Sequence, residues 1–185
     1  MRVAANDLPR ALENEGAFAA SGTNIALFGK SHAWIGTGAG AKARVLRTTD
    51  RGRTWKIGET PFMAGASAGI FSVAFRDAMH GVIVGGDYRK ENEARDNLAM
   101  TSDGGVTWRL VKGLSGFRSV VAYVPSLPET LVAIGPSGAD YSTDDGRTWM
   151  TLAGPGFDTL SFAHGRAIAF AAGARGSIGR LTFAK

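Results

Sequence analysis

Any chemistry in this sequence has to come from oxygen, nitrogen and imidazole groups, because its 185 residues include no cysteine. Thiolate metal sites, cysteine nucleophiles and disulfides are removed together. Three histidines, His32, His80 and His164, stand at turns between strand-like segments, far from one another and with no acidic partner expected. They read as turn residues, so neither a metal centre nor another cofactor is expected. Three tyrosines (Tyr88, Tyr123, Tyr141), many arginines, and the glutamates Glu13, Glu15, Glu91 and Glu93, which fall in loops, complete the inventory of groups able to do acid–base or nucleophilic chemistry. Residues 36–40, Gly-Thr-Gly-Ala-Gly, follow a strand. No helix opens after them, so they do not make a phosphate loop.

Charge narrows the partners. Lys plus Arg is 21 against 16 Asp plus Glu, a formal net charge of +5, but the basic residues are scattered. Nucleic-acid binding needs a basic stripe with interleaved aromatics, and it is not expected here. The longest apolar runs, residues 81–86 and 167–172, are far shorter than the ~18 residues of a membrane helix. Residues 1–15 lack a long apolar core and a small-residue cleavage site, so no secretory signal is expected in this chain.

The elements that would position these side chains announce themselves as a repeat. Three segments share the pattern [Ser/Thr]-x-Asp-x-Gly-x-Thr-Trp: one holds Thr48, Asp50, Gly52 and Trp55, the next Thr101, Asp103, Gly105 and Trp108, the last Ser142, Asp144, Gly146 and Trp149. The aspartates are 53 and then 41 residues apart, a period typical of propeller blades. Each part has a mechanical reason. The Asp carboxylate accepts backbone N–H bonds in a tight turn, Gly permits a positive φ, and Trp buries a large ring as the outgoing strand begins. The role predicted for these aspartates is structural.

Apolar segments at 70–75, 117–123 and 157–162 read as short buried strands. Each is followed, after a polar turn, by another apolar strand ending in glycine, such as Val82-Ile83-Val84-Gly85. The unit is strand A, turn, strand B, variable loop, strand C, acidic turn, strand D. The predicted fold is therefore all-β: a β-propeller of four-stranded antiparallel blades. About four blades are expected, at 17–60, 68–112, 116–153 and 157–185, behind an N-terminal extension, residues 1–16. The only helical turn expected spans 6–15. The fourth unit ends at its strand C, so its fourth strand would come from Arg2-Val3-Ala4-Ala5 or from another copy, or be missing from a partial propeller.

With these residues in view, the chain resembles the Asp-box, or bacterial neuraminidase repeat, superfamily, and within it the photosystem II stability/assembly factor-like propellers. The resemblance rests on residues 16–23, on Ser72-Val73-Ala74-Phe75-Arg76-Asp77 with Gly81, and on the three acidic turns. It implies a non-catalytic protein-binding or complex-assembly scaffold, and an exported or periplasmic location. The alternative it carries is a sialidase-like glycoside hydrolase or a glycan-binding module, in which three arginines clamp a carboxylate beside a Tyr nucleophile with its Glu and an Asp acid/base. The first-blade pattern that carries a clamp arginine is not recognisable here. Propellers of the resembled family have about six or seven blades, which makes self-association a way for this chain to complete a ring.

Propeller topology sorts the loops. A–B turns and acidic turns share one face; B–C loops and D–A connections share the other, where recognition residues concentrate on a rigid scaffold. This second face is expected to carry Lys42 and Arg44, then Asp87, Tyr88, Arg89 and Lys90 in the longest and most charged loop, and Ser137 with Tyr141. Arg118 and Asp158, at equivalent offsets in adjacent units, are expected to pair across the channel mouth near Ser72.

Overall fold

The structure, a computed structural model, describes residues 8–20 and 22–183. Fifteen strands run through them. The first sheet holds β1 (Ile25–Phe28), β2 (His32–Gly36), β3 (Arg44–Thr48) and β4 (Lys56–Glu59). The second holds β5 (Ala68–Phe75), β6 (Gly81–Asp87), β7 (Leu98–Thr101) and β8 (Arg109–Leu110). The third holds β9 (Val120–Tyr123), β10 (Leu131–Gly135), β11 (Gly138–Ser142) and β12 (Met150–Leu152). The last holds β13 (Thr159–Phe162), β14 (Ile168–Gly173) and β15 (Ser177–Thr182). Each is a meander whose neighbours pair antiparallel in chain order, four strands in the first three sheets and three in the last. This is the blade architecture of a β-propeller.

The inner strands are apolar because both their faces are covered. β5, β6 and β10 are buried along nearly their whole length, and alternate residues point into two different sheet–sheet junctions. Three core clusters follow. One joins the first and second sheets around Trp34, Val45, Ile70, Val73 and Ile83. The next joins the second and third around Val82, Val84, Leu98, Val121 and Leu131, and another joins the third and last around Val132, Ile134, Phe157, Leu160 and Ala171. Trp34 stacks flat on Phe75 of the next sheet, ring centres 3.6 Å apart, and its indole N–H donates to the Gly104 carbonyl at 2.8 Å.

The inner strands are also stitched by hydrogen bonds. Ser72 is fully buried rather than at an open mouth; its Oγ accepts the Val121 N–H at 2.9 Å and lies 2.7 Å from the Thr23 hydroxyl. The second sheet is thereby tied to both neighbours at one side chain. At the two ends of the row, Ile25, Leu27, Phe170 and Ile178 remain exposed.

Two expectations meet these elements differently. Residues 8–15 form turns and irregular backbone, not a helix. The Glu15 carboxylate accepts the Leu12 N–H at 2.8 Å and is drawn to Arg44, which holds this segment in a non-helical path. The candidate strand Arg2–Ala5, like the start of the expected helix, lies outside the described residues. The only helical turn among the described residues is a short 3-10 turn at Ala174–Gly176, where the third sheet has Pro136-Ser137.

Candidate functional site

The three acidic turns have one geometry. Asp50 Oδ1 accepts the Thr54 N–H at 2.9 Å and the Thr48 hydroxyl at 2.8 Å, and its Oδ2 accepts the Thr54 hydroxyl at 2.7 Å. The Thr48 hydroxyl in turn accepts the Gly52 N–H at 3.0 Å. Asp103 repeats this with Thr101, Gly105 and Thr107, and Asp144 with Ser142, Gly146 and Thr148. Gly52, Gly105 and Gly146 have φ of 80°, 83° and 83°, so a side chain there would be strained. Trp55 and Trp149 donate their indole N–H to Gly52 and Gly146, while Trp108 is buried against the first sheet.

Donated bonds stabilise the charged form of a carboxylate. Bonds from the Thr54 backbone and hydroxyl pull Asp50 down to about 2, and those from the Thr148 hydroxyl and backbone do the same for Asp144. At Asp103 burial opposes the shift, but the Thr107 and Thr101 bonds outweigh it and the pKa is lowered. These groups are fixed anions inside turns, unsuited to proton transfer near neutral pH.

Each acidic turn sits beside the A–B turn of its own sheet. The Arg51 N–H donates to Ser31 at 3.1 Å, Gly104 to Met79 at 2.9 Å, and Asp145 to Glu129 at 2.8 Å. This face also carries a network that the motif pattern did not announce. Arg76 lies 3.2 Å from Asp145 and 3.3 Å from Asp77, and the Tyr123 hydroxyl donates to Asp145 at 3.1 Å. His80 Nδ1 lies 2.9 Å from Asp77, so one histidine does have an acidic partner, three residues upstream. Burial works against ionising Asp77, yet the His80 and Met79 N–H bonds bring it down to about 2. Burial, then the Asp145 charge and hydrogen bond, push the Tyr123 phenol well above its usual range. The doubled acid in Asp144-Asp145 was the available signal.

The opposite face holds the residues expected to recognise a partner, and it divides them. Asp87 closes β6 and caps the loop after it, accepting the Arg89 N–H at 3.0 Å. Burial opposes ionisation of Asp87, but Ser67, Arg89 and Lys90 lower its pKa on balance. Tyr88 is 40% exposed. It stands edge-on to Phe18 and Phe71, with the Arg89 guanidinium 5.8 Å from its ring centre. Lys90 pairs with Glu93 at 3.5 Å. The loop is fastened to the third sheet, since the Glu91 carbonyl accepts both the Phe117 N–H at 2.8 Å and the Ser137 hydroxyl at 2.9 Å. A small concavity of about 370 Å³ runs along residues 88–93.

Arg118 and Asp158 do not pair. Arg118 is wholly buried, its Nε 2.7 Å and Nη2 2.6 Å from Asp140 Oδ2, and Nη1 donates to the Phe117 carbonyl at 2.8 Å. Asp140 also accepts from the Ser115 N–H and hydroxyl and from Thr151. Asp158 is exposed, and its carbonyl accepts the Ser119 hydroxyl at 2.6 Å. Tyr141 lies within β11, opposite Val132 and Met150, and turns toward the last sheet rather than onto the loop face. Arg44 is buried too, held to Glu15 by a paired contact through Nε at 2.9 Å and through Nη2. Lys42 instead meets Glu59 in solvent at 3.2 Å.

Similar structures share this architecture. A structure of YCF48 bound to a D1 peptide matches with a TM-score of 0.63 and 19% identity, over 92% of this chain and 53% of that one. The likeness is one of fold. YCF48 from Cyanidioschyzon merolae matches at 0.54 and 16%, over 87% and 51%, and a GH74 enzyme of Niastella koreensis at 0.60 and 16%, over 92% and 28%. The chain spans about half the length of the first of these. No family model matches the sequence, nor does any curated protein.

Proposed function

We propose that the protein is a non-catalytic propeller of the Asp-box kind that binds another polypeptide as an assembly scaffold, using the loop face around Tyr88 and Arg89. The observation that carries this reading is the state of the 87–97 loop. It is the longest loop between strands and is highly charged, yet it is clamped at Glu91 to the neighbouring sheet, so Tyr88 and Arg89 are offered from a fixed platform. A rigid aromatic beside an arginine is the composition of binding hot spots, because little side-chain entropy is lost on contact. The peptide in the YCF48 structure supports a polypeptide ligand for a fold of this shape.

The hydrolase alternative draws less support. A tyrosine nucleophile needs its phenol activated, whereas Tyr123 is buried against Asp145 and shifted the opposite way. A general acid needs a raised carboxyl, a role that does not suit Glu15, Asp50, Asp77, Asp87, Asp103 or Asp144, each of which is lowered.

Selection of a displayed library of random linear peptides tests the reading. The chain should enrich a consensus, and the Tyr88→Ala/Arg89→Ala variant should lose it while keeping its melting temperature. Enrichment of the same consensus by both proteins would refute this face as the binding surface.

A further inference from the structure

The junctions between neighbouring sheets share one register, and the second lacks a ring that the first has. In the first sheet Trp34 stands opposite Arg47, the residue before the acidic-turn Thr48. In the second, Val82 stands opposite Met100, the residue before Thr101, so Val82 is the counterpart of Trp34. In the third, Val132 stands opposite Tyr141, before Ser142. On the innermost strands Ala74 pairs with Val82 and Ala122 with Val132, which makes Tyr123 the counterpart of Phe75. At the first junction the Trp34 indole lies flat on Phe75 and donates to Gly104. At the second, Val82 supplies no ring for Tyr123.

Met100 takes part of the missing volume. A Cβ at Gly105 would stand 3.2 Å from the Trp34 ring, and one at the equivalent Gly146 would stand 3.4 Å from the terminal methyl of Met100. Beside that thioether a cavity of about 430 Å³ stays open on the acidic-turn face, lined by Tyr123, Met100 and Trp108 among others. Its size is within the ~300–1,000 Å³ usual for small-molecule pockets.

The rim is cationic. Arg109 and Arg147 both line the cavity from exposed positions. Among the described residues neither guanidinium has a carboxylate within ion-pair distance. Asp145, the carboxylate in the lining, is already engaged by Arg76 at 3.2 Å and by the Tyr123 hydroxyl at 3.1 Å. The His80 imidazole, held by Asp77, borders the same space. Two unpaired guanidinium groups on one lining are suited to grip a carboxylate.

We infer that this cavity is a binding site for a small planar aromatic carboxylate. The ring takes the place before Tyr123 that Trp34 takes before Phe75, beside Met100, whose flexible thioether adapts to it. The carboxylate meets Arg109 and Arg147. Burial of the ring supplies affinity, and the two arginines select the charge. The site is on the face opposite Tyr88, so either can fail without the other.

The test titrates the whole chain with indole-3-acetate, whose ring copies that of Trp34, and follows backbone amide NMR shifts. Saturable shifts are expected at residues 80–81, 100–102 and 145–147, with half-saturation at or below ~1 mM. Indole and acetate, each carrying half of the ligand, should bind at least ~10-fold weaker. Arg109→Ala/Arg147→Ala should weaken indole-3-acetate at least ~10-fold, with the melting temperature and the affinity for indole unchanged. Absence of saturation up to ~10 mM would overturn the proposal. Shifts centred on other residues would overturn it too, as would an affinity indifferent to the two arginines.

Discussion

Arg118 and Asp140 form a fully buried ion pair, with Ser115 and Thr151 donating to the carboxylate and the guanidinium donating to the Phe117 carbonyl and the Ser137 hydroxyl. The pair locks the entry to β9 onto β11, two strands that are not neighbours in their sheet. Its role is structural, because no part of Arg118 reaches solvent.

Removing one partner leaves the other charged and alone in the interior, which costs far more than the pair contributes. Arg118→Ala is expected to lower unfolding stability by about 3–5 kcal/mol. The Arg118→Met/Asp140→Leu double variant should lose much less. Urea denaturation of the two variants checks this, and equal losses would contradict it.

Acid should unfold the protein through its turns. Asp50, Asp77 and Asp144 are depressed to about 2 in the folded state, against about 3.9 in an unfolded chain. A depressed carboxyl contributes stability that is fully present above the unfolded value and is lost as pH falls through the folded one. Stability should therefore be level from pH 7 to about 5 and decline between about 4 and 2. The expected signature is a urea midpoint that falls over that window, and that falls less in Asp144→Asn. A flat midpoint to pH 2 would mean that the turns do not titrate with folding.

The acidic turns, the strand order and the blade count were legible because they depend on local chemistry repeated three times. A motif holding Asp, Gly and Trp at fixed offsets specifies its turn without help from distant residues. The pairings were not legible, because Arg118 finds Asp140 and Arg44 finds Glu15 only once segments distant in the sequence meet. Tyr141 shows the same limit. Its side depends on the register of β11 against β10, and a shift of one residue reverses the face. His80 is a different case, since its partner Asp77 lies only three residues upstream and was within reach of the sequence.

Trp34 carries the junction between the first and second sheets, stacked on Phe75 and bonded to Gly104 of the second sheet's acidic turn. Trp34→Ala should cost about 3–5 kcal/mol, as expected for a large buried aromatic. Trp34→Phe keeps the stacking and loses the bond to Gly104, so it should cost about 1–2 kcal/mol. Thermal denaturation followed by near-ultraviolet circular dichroism separates these outcomes.

Gly113 and Gly154 make a matched pair for measuring what the seated tryptophan does. Both have a backbone that disfavours a side chain, so alanine introduces a similar conformational strain at each. Only at Gly113 does the new methyl also press on Trp149, with 3.0 Å to its Cβ. Overpacking of that kind adds about 1–3 kcal/mol. Gly113→Ala should therefore be less stable than Gly154→Ala by about that amount in chemical denaturation, although the residues occupy equivalent positions. Equal stabilities of the two variants would show that Trp149 yields to the methyl.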